Sequence, residues 1–125
     1  MAGPDTVVHL DEKFAAFDEH WTPKIVGEIN DMHLKAVKLQ GEFVWHTHHD
    51  TDEFFLVRSG HMTIRMRGRE DVVIGPDEFF VVPRGVEHRP EAEEECEVLL
   101  LEPAGLVNTG DAAADERTAA SDQWI

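Results

Sequence analysis

Two histidines at alternate positions, His46 and His48, are the residues of this sequence best suited to chemistry. In an extended strand, side chains two residues apart share a face at a spacing of about 7 Å, so both imidazoles can reach one ion. Glu53 follows a turn-forming segment, Asp50–Asp52, which would bring its carboxylate back beside the pair. His88 comes later, after a Pro-Arg-Gly turn, on a strand that would have to lie next to the others. These residues together predict a metal site.

The segments that must position these side chains have the pattern of short strands. From Lys24 onward, apolar segments alternate with turns containing Gly, Pro, Asn or Asp roughly every 8–12 residues, which is typical of a sandwich or barrel. The predicted strands are 24–29, 32–39, 42–48, 53–58, 61–67, 71–74, 79–82, 86–89 and 96–102. Before them, Leu10, Phe14 and Phe17 recur at helical spacing and predict a short helix over 10–17. The sequence therefore predicts an all-β fold with a short N-terminal helix.

Length and composition fit one globular domain spanning 1–125. The chain has 125 residues, 42% of them hydrophobic, which is enough to bury a core. Acidic residues number 26 against 11 basic ones, for a net charge of −15. Because such a charge repels phosphates and anionic lipid, we expect neither nucleic acid nor a membrane as a partner. Cys96 has no internal disulfide partner and Met1–Lys13 lacks a signal-peptide pattern, so a cytoplasmic location is expected.

Two motifs, in the right order and spacing, resemble those of the cupin superfamily. The first is Gly41-x4-His46-x-His48-x4-Glu53-x6-Gly60, and the second is Gly75-x7-Pro83-x-Gly85-x2-His88. With the strands around them, they cover about residues 30–102. The interval from Gly41 to His46 is one residue shorter than the usual family pattern. Ala92 stands where an Asn often follows the last histidine. Neither departure touches a residue that the resemblance makes a ligand.

The resemblance implies a double-stranded β-helix, also called a jelly-roll barrel, whose interior holds one divalent transition metal (Fe, Mn, Ni, Co, Cu or Zn). The barrel core would span about 24–102, followed by a tail over 103–125 that packs on the outside or on a second subunit. Carried over residue by residue, the metal ligands would be His46, His48, Glu53 and His88. An octahedral ion with these ligands would keep two open positions, as a catalytic site requires. His49 falls outside the motif, and we place it on the rim as a candidate catalytic, proton-transferring residue.

Fold does not fix function, and three functions remain open. The first is a metal-dependent isomerase, epimerase or lyase acting on a small polar, sugar-like or keto-acid-like substrate. The second is an Fe(II)-dependent oxygenase, which would suit an apolar pocket lined by Met62, Ile64 and Met66. A stripe of this kind is more often plain core. The third is a non-catalytic module that binds a metal or a small molecule. The resemblance also implies a homodimer, because small cupins commonly pair through sheet edges.

Overall fold

A computed structural model of the chain describes residues 6–120 and 122–125. This part of the chain contains one helix and seven strands. They are α1 (Leu10–Ala15), β1 (Lys24–Ile29), β2 (Met32–Glu42), β3 (Glu53–Ser59), β4 (Met62–Met66), β5 (Val72–Ile74), β6 (Phe79–Val82) and β7 (His88–Pro103). The predicted all-β class, with one short helix near the N-terminus, is confirmed.

Strand β7 organises the sheet because it is long enough to pair with three other strands. The strand order is β1-β2-β7-β3-β6, while β4 pairs with both β5 and β7, and all of these pairs are antiparallel. The second half of β7 pairs with β3, and its first four residues, His88–Glu91, pair with β4. The sheet therefore closes around one interior as a jelly-roll barrel. The N-terminal end of β7 lies at the mouth of that interior.

The barrel interior is filled from alternate positions of the strands. Met62, Ile64 and Met66 on β4 are all buried, as are Phe55 and Val57 on β3, because side chains repeat every two residues along a strand. A second cluster lies on the outer face, where Phe14 on α1 and Phe17, just after the helix, pack against Val26 and Ala36. The chain thus buries both faces of the sheet in this region, and the side chains that face the interior determine the functional site.

Four of the predicted segments are wrong in their boundaries. The strand expected at 42–48 does not form, because β2 ends at Glu42 and the following loop touches β7 only at isolated points. The strands expected at 86–89 and 96–102 are one strand, β7, which runs through the acidic residues Glu93–Glu95. Those side chains are exposed, and the pairing with β2 is irregular there, because the register passes from Leu39–Cys96 directly to Gly41–Ala92. Charge therefore determined the exposure of these side chains but not the backbone conformation. The helix also ends at Ala15, earlier than predicted.

The C-terminal residues dock on the barrel. Ile25 donates its backbone N–H to the Gln123 carbonyl at 2.7 Å, and Ile125 donates to the Ile25 carbonyl at 3.1 Å. Lys13 Nζ also donates to the Ile125 carbonyl at 2.8 Å. At this end the tail thus contacts the outside of the barrel, one of the two arrangements that the sequence left open. In residues 6–120 and 122–125, no helix is long and apolar enough to cross a membrane.

Candidate metal centre

Four buried side chains converge at the mouth of the barrel. They are His46 and His48 from the loop after β2, Glu53 from the start of β3, and His88 from the start of β7. One ligand atom from each lies within 4.8 Å of the ligand atoms of the other three. The structure therefore brings together all four of the residues that the family motif singled out, in an arrangement that could hold one metal ion.

Backbone hydrogen bonds replace the missing strand in holding the two loop histidines. His46 and His88 exchange both of their backbone bonds, with N···O distances of 3.0 and 2.9 Å. Gly85 donates its N–H to the His48 carbonyl at 2.9 Å, which fixes the next part of the loop. The imidazole centroids of His46 and His88 lie 4.4 Å apart, and those of His46 and His48 lie 5.0 Å apart. A few backbone hydrogen bonds to β7 and to the turn before it therefore position the two loop histidines.

The hydrogen bonds of the rings leave one nitrogen of each free to bind a metal. Nδ1 of His46 lies 2.9 Å from the Val44 carbonyl, and Nδ1 of His88 lies 2.9 Å from the Val86 carbonyl. Because a carbonyl only accepts, Nδ1 must carry a proton, and in the neutral ring Nε2 then carries the lone pair. The Nε2 atoms of both rings are buried and have no hydrogen-bond partner in the described part of the chain. A buried polar atom without a partner calls for one, and a metal ion at this point would supply it.

The charges at the site also fit a divalent ion. The Glu53 carboxylate contacts Nε2 of His48 and lies 3.6 Å from Nε2 of His88. Burial opposes ionisation of Glu53, but the two histidines outweigh it and hold the pKa of the carboxyl well below its usual range. Burial lowers the pKa of His46 to about 4, so this ring is neutral at physiological pH. Neutral imidazoles and one carboxylate are a donor set that suits first-row divalent ions.

Metal uptake by the metal-free chain is expected to weaken as the pH falls. Burial opposes protonation of His48, but Glu53 outweighs it and raises the pKa of this ring above the ordinary value. Protons therefore compete with the metal for His48 already near neutral pH, whereas His46, with its pKa of about 4, competes only in acid. Competitive titration from about pH 8 to about pH 5 should show a steady loss of affinity that begins above the ordinary histidine pKa, because the pKa of His48 is raised. An affinity independent of pH would contradict a role for His48 as a ligand.

A segment after β7, residues 107–119, covers the centre, and we call it the C-terminal strap. Gly110 in this strap has a φ of +54°, and its backbone lies directly against the site. A Cβ atom there would come within 3.1 Å of Cδ2 of His46, 3.2 Å of Cε1 of His48 and 2.6 Å of the Thr47 carbonyl. Asp111 accepts the Thr47 N–H at 2.6 Å. The tail thus also packs directly against the candidate metal residues, a contact that no pattern in the sequence predicts.

Replacing Gly110 by alanine is expected to displace the strap. Gly105→Ala is the matched control, because its φ is also positive at +84° but a Cβ there meets nothing within 4 Å. Both variants carry left-handed backbone strain of about 1–2 kcal/mol, and Gly110→Ala adds overpacking of about 1–3 kcal/mol. We expect a larger fall in Tm for Gly110→Ala and faster tryptic cleavage after Arg117 in the strap. Equal behaviour of the two variants would show that the strap does not press on the site.

His49 lies on the rim, as expected, and its side chain is 66% exposed. Its Nε2 atom lies 3.1 Å from the Asp111 carboxylate of the strap, so the ring points toward the strap rather than into the interior. His49 is absent from the buried four-residue cluster. Its catalytic role stays a prediction.

A small cavity lies beside the metal centre, with a volume of about 30 Å³. His46 and Glu53 form its polar side, and the rest is mostly apolar, including Val37, Leu39, Phe43, Phe55 and Leu100. Trp21 stacks on Phe43, with ring centroids 4.6 Å apart, and helps to close it. This volume accommodates about two waters, so a larger ligand requires the cavity to open. An apolar pocket exists, but residues of β2, β3 and β7 line it. Met62, Ile64 and Met66 belong to the core, the commoner of the two alternatives for them.

Sequence analysis missed two charged residues inside the barrel, Lys35 and Glu102. Lys35 is 1% exposed and Glu102 is 3% exposed, and Lys35 Nζ lies 2.8 Å from Glu102 Oε1. Glu102 also lines the cavity. Burial raises the pKa of the Glu102 carboxyl and Glu53 adds to the rise, although Lys35 opposes both. A signal was available, because Lys35 comes two residues before the interior Val37 and Glu102 comes two after the interior Leu100.

Comparison with known proteins identifies the family. The cupin domain family model matches residues 34–102. The crystal structure of a cupin-2 domain containing protein from Shewanella frigidimarina is 44% identical, covers 78% of this chain and 94% of that chain, and has a TM-score of 0.76. YdbB of Bacillus subtilis is 33% identical over 64 residues. That match covers 51% of this chain and 57% of YdbB, so the chain spans little more than half of this curated relative.

A more distant structural neighbour is an enzyme. Hydroquinone 1,2-dioxygenase from Sphingomonas sp. TTNP3, solved in complex with 4-nitrophenol, has a TM-score of 0.72 at 17% identity. The match covers 82% of this chain and 35% of that chain, and at this identity it shows the fold alone. The family match, the jelly-roll barrel and the motif residues agree. The chain belongs to the cupin superfamily.

Proposed function

We propose that this chain is a single-domain, metal-dependent enzyme in which His46, His48, Glu53 and His88 hold one divalent transition metal. One observation carries the proposal: the buried Nε2 atoms of His46 and His88, without partners among the described residues, converge with a buried carboxylate beside a cavity. A structural site usually fills every coordination position with protein groups, whereas a catalytic site leaves some for water or substrate. Three imidazoles and one carboxylate leave an octahedral ion two such positions.

Among the possible reactions, the apolar cavity favours an Fe(II)-dependent oxygenase. Fe(II) bound in such a site supplies activation of O₂ for the oxidation of an organic substrate. The residues of the chain leave little room for water: Phe43, Phe55 and Leu100 line the cavity, together with Trp21 and with Asn108 of the C-terminal strap. A cavity with this lining fits a small, largely apolar substrate better than a sugar, whose many hydroxyls would need polar partners.

A specific observation keeps the isomerase, epimerase or lyase as the second candidate. Such a reaction moves a proton, and the carboxylate of Glu102 lines the cavity beside the metal residues. A carboxylate whose pKa is raised by burial is suited to accept and return a proton. In this alternative, the metal would polarise a carbonyl or hydroxyl group of a small substrate.

The two candidates are separated by measuring O₂ uptake. The chain is loaded anaerobically with Fe(II), mixed with a panel of small phenols, diketones and thiols, and then exposed to O₂; the His88→Ala variant serves as the inactive control. The oxygenase proposal expects O₂ consumption by the wild-type chain and none by the variant. Proton exchange of keto acids or sugars followed by NMR, without O₂ uptake, would favour the second candidate. Ligand binding without turnover in either assay would contradict both and indicate a binding module.

We also propose that two copies of the chain pair through the outer face of β3 and β6. Apolar side chains remain uncovered there: Phe79 is 63% exposed, Val81 is 39% exposed, and Phe54 lies against Phe79 with ring centroids 5.3 Å apart. Strand β6 also ends the strand order, so its outer edge is free to pair among the described residues. A second copy would cover both the apolar face and the edge.

The dimer is tested by sedimentation at micromolar concentration. The wild-type chain is expected to sediment as a dimer, and Phe79→Lys/Val81→Lys as a monomer, because each lysine would place a charge in the interface. Val73→Lys is the matched control, since Val73 is 67% exposed but lies on β5, away from this face. A monomeric wild-type chain, or an unchanged dimer in the double variant, would contradict the proposed interface.

A further inference from the structure

Glu102 and Lys35 form a buried ion pair inside the barrel, at positions that an apolar core would normally occupy. Lys35 lies on the interior face of β2, and Glu102 lies on the interior face of β7. Both are almost fully buried, and their charged atoms lie 2.8 Å apart. Replacing a buried ion pair by apolar residues of similar volume is often neutral or stabilising. Stability alone therefore gives little reason for this pair, and its position suggests a role in the cavity.

Glu102 lines the same cavity as His46 and Glu53, so a molecule in that cavity would meet Glu102 and the metal residues together. Two other lining residues with polar side-chain atoms have those atoms engaged. Asn108 donates to the Trp21 and Arg117 carbonyls and accepts the Ala119 N–H, and Trp21 donates its indole N–H to Gln40. Among the described lining residues other than the proposed metal ligands, Glu102 is therefore the polar group still able to hydrogen-bond a molecule in the cavity.

We propose that Glu102 anchors the ligand by accepting a hydrogen bond from an O–H or N–H group, while another atom of the same ligand binds the metal. The inference rests on the proposed function, because it takes the metal at the four-residue cluster as the other anchor. Lys35 is a positioning residue: it contacts Oε1 of Glu102, which leaves Oε2 as the acceptor. Because an ionised carboxylate only accepts hydrogen bonds, the ligand class is a metal-binding molecule that carries an O–H or N–H donor.

Imidazole and 1-methylimidazole are suitable probes for this arrangement. Both are neutral and bind a metal through the same kind of ring nitrogen, but only imidazole carries an N–H on the other side of the ring. The full-length chain is loaded with Co(II), and the dissociation constants of both probes are measured from the visible spectrum. For the wild-type chain we expect imidazole to bind about 10-fold more tightly or better, since a hydrogen bond to a charged acceptor has about this effect.

The variants separate this role from a structural one. Glu102→Leu alone would leave Lys35 buried without its partner and could fail to fold, so Lys35→Met/Glu102→Leu is the main variant. It should keep one equivalent of Co(II) but lose the preference for imidazole, with a ratio of the two constants near one. Glu102→Gln keeps an acceptor oxygen and should retain part of the preference. A merely structural Glu102 would change the unfolding midpoint and leave this ratio unmoved.

Failure of the proposed metal site and failure of the role assigned to Glu102 give different results. If the wild-type chain takes up no Co(II), the metal site itself is contradicted, and the proposed function fails. If Co(II) binds and the double variant keeps the wild-type ratio, the assignment of Glu102 is overturned while the metal site stands. Binding of neither probe to the Co(II)-loaded wild-type chain overturns the assignment as well.

Discussion

The His48→Ala variant is expected to lose about 100-fold or more in metal affinity, while His49→Ala binds as the wild-type chain does. Changes to groups that only support a metal ligand already lower affinity by about 10- to 100-fold, so loss of a ligand should do at least as much. The two histidines are neighbours, but His48 is buried against Glu53 whereas His49 is exposed and contacts Asp111. Competitive titration of the metal-free chains with Zn(II) and a chromophoric chelator measures both affinities.

This pair of variants separates a built site from adventitious binding by a histidine-rich loop. Both remove one imidazole from the same loop, so the loss of a nonspecific histidine would affect them alike. Circular dichroism of the metal-free proteins checks that both variants are folded. Equal affinities for His48→Ala and His49→Ala would contradict the assigned ligand set.

The Lys35→Met variant is expected to lower the free energy of unfolding by about 3–5 kcal/mol, because it leaves the Glu102 carboxylate buried without its cation. Lys35→Met/Glu102→Leu should recover most of this loss, since it removes the second charge and refills the space with apolar atoms. Urea unfolding of the metal-free chains gives the three free energies. The comparison of these free energies measures the energetic coupling between the Lys35 and Glu102 charges.

Arg84→Met provides the surface control for this experiment. Arg84 and Asp52 are both largely exposed, with charged atoms 3.6 Å apart, and such pairs contribute about 1 kcal/mol or less. If Lys35→Met behaved like Arg84→Met, the interior pair would be accessible to water in solution. A double variant as unstable as Lys35→Met would show that the loss comes from packing rather than from the unpaired carboxylate.

The metal centre was accessible to sequence reasoning because its four residues follow a fixed motif. The reason given for their convergence was partly wrong, since His46 and His48 do not share one face of a strand. They lie in a loop that is hydrogen-bonded to His88 and Gly85 through the backbone. The carbonyl groups of Val44 and Val86 orient the rings of His46 and His88. A loop held by a few nonlocal hydrogen bonds has no periodic pattern from which its geometry could be predicted.

The strap and the interior ion pair were not predicted from the sequence, for different reasons. The strap is irregular, and its key residue, Gly110, matters through contacts with a loop more than sixty positions earlier in the chain. Lys35 and Glu102 lie on strands that were predicted. Because they are charged, they are expected at the surface unless the face of each strand is assigned position by position. Burial alternates strictly along β4, and the same rule applied to β2 and β7 turns both charges inward.

Crystals of the metal-loaded chain, measured at the absorption edge of the metal, test the central claim most directly. The account predicts one anomalous peak per chain, surrounded by His46, His48, Glu53 and His88, with bonds to nitrogen and oxygen of about 2.0–2.2 Å. No peak at this position after loading, or a peak only at surface histidine–carboxylate pairs such as His20 and Glu95, would contradict it.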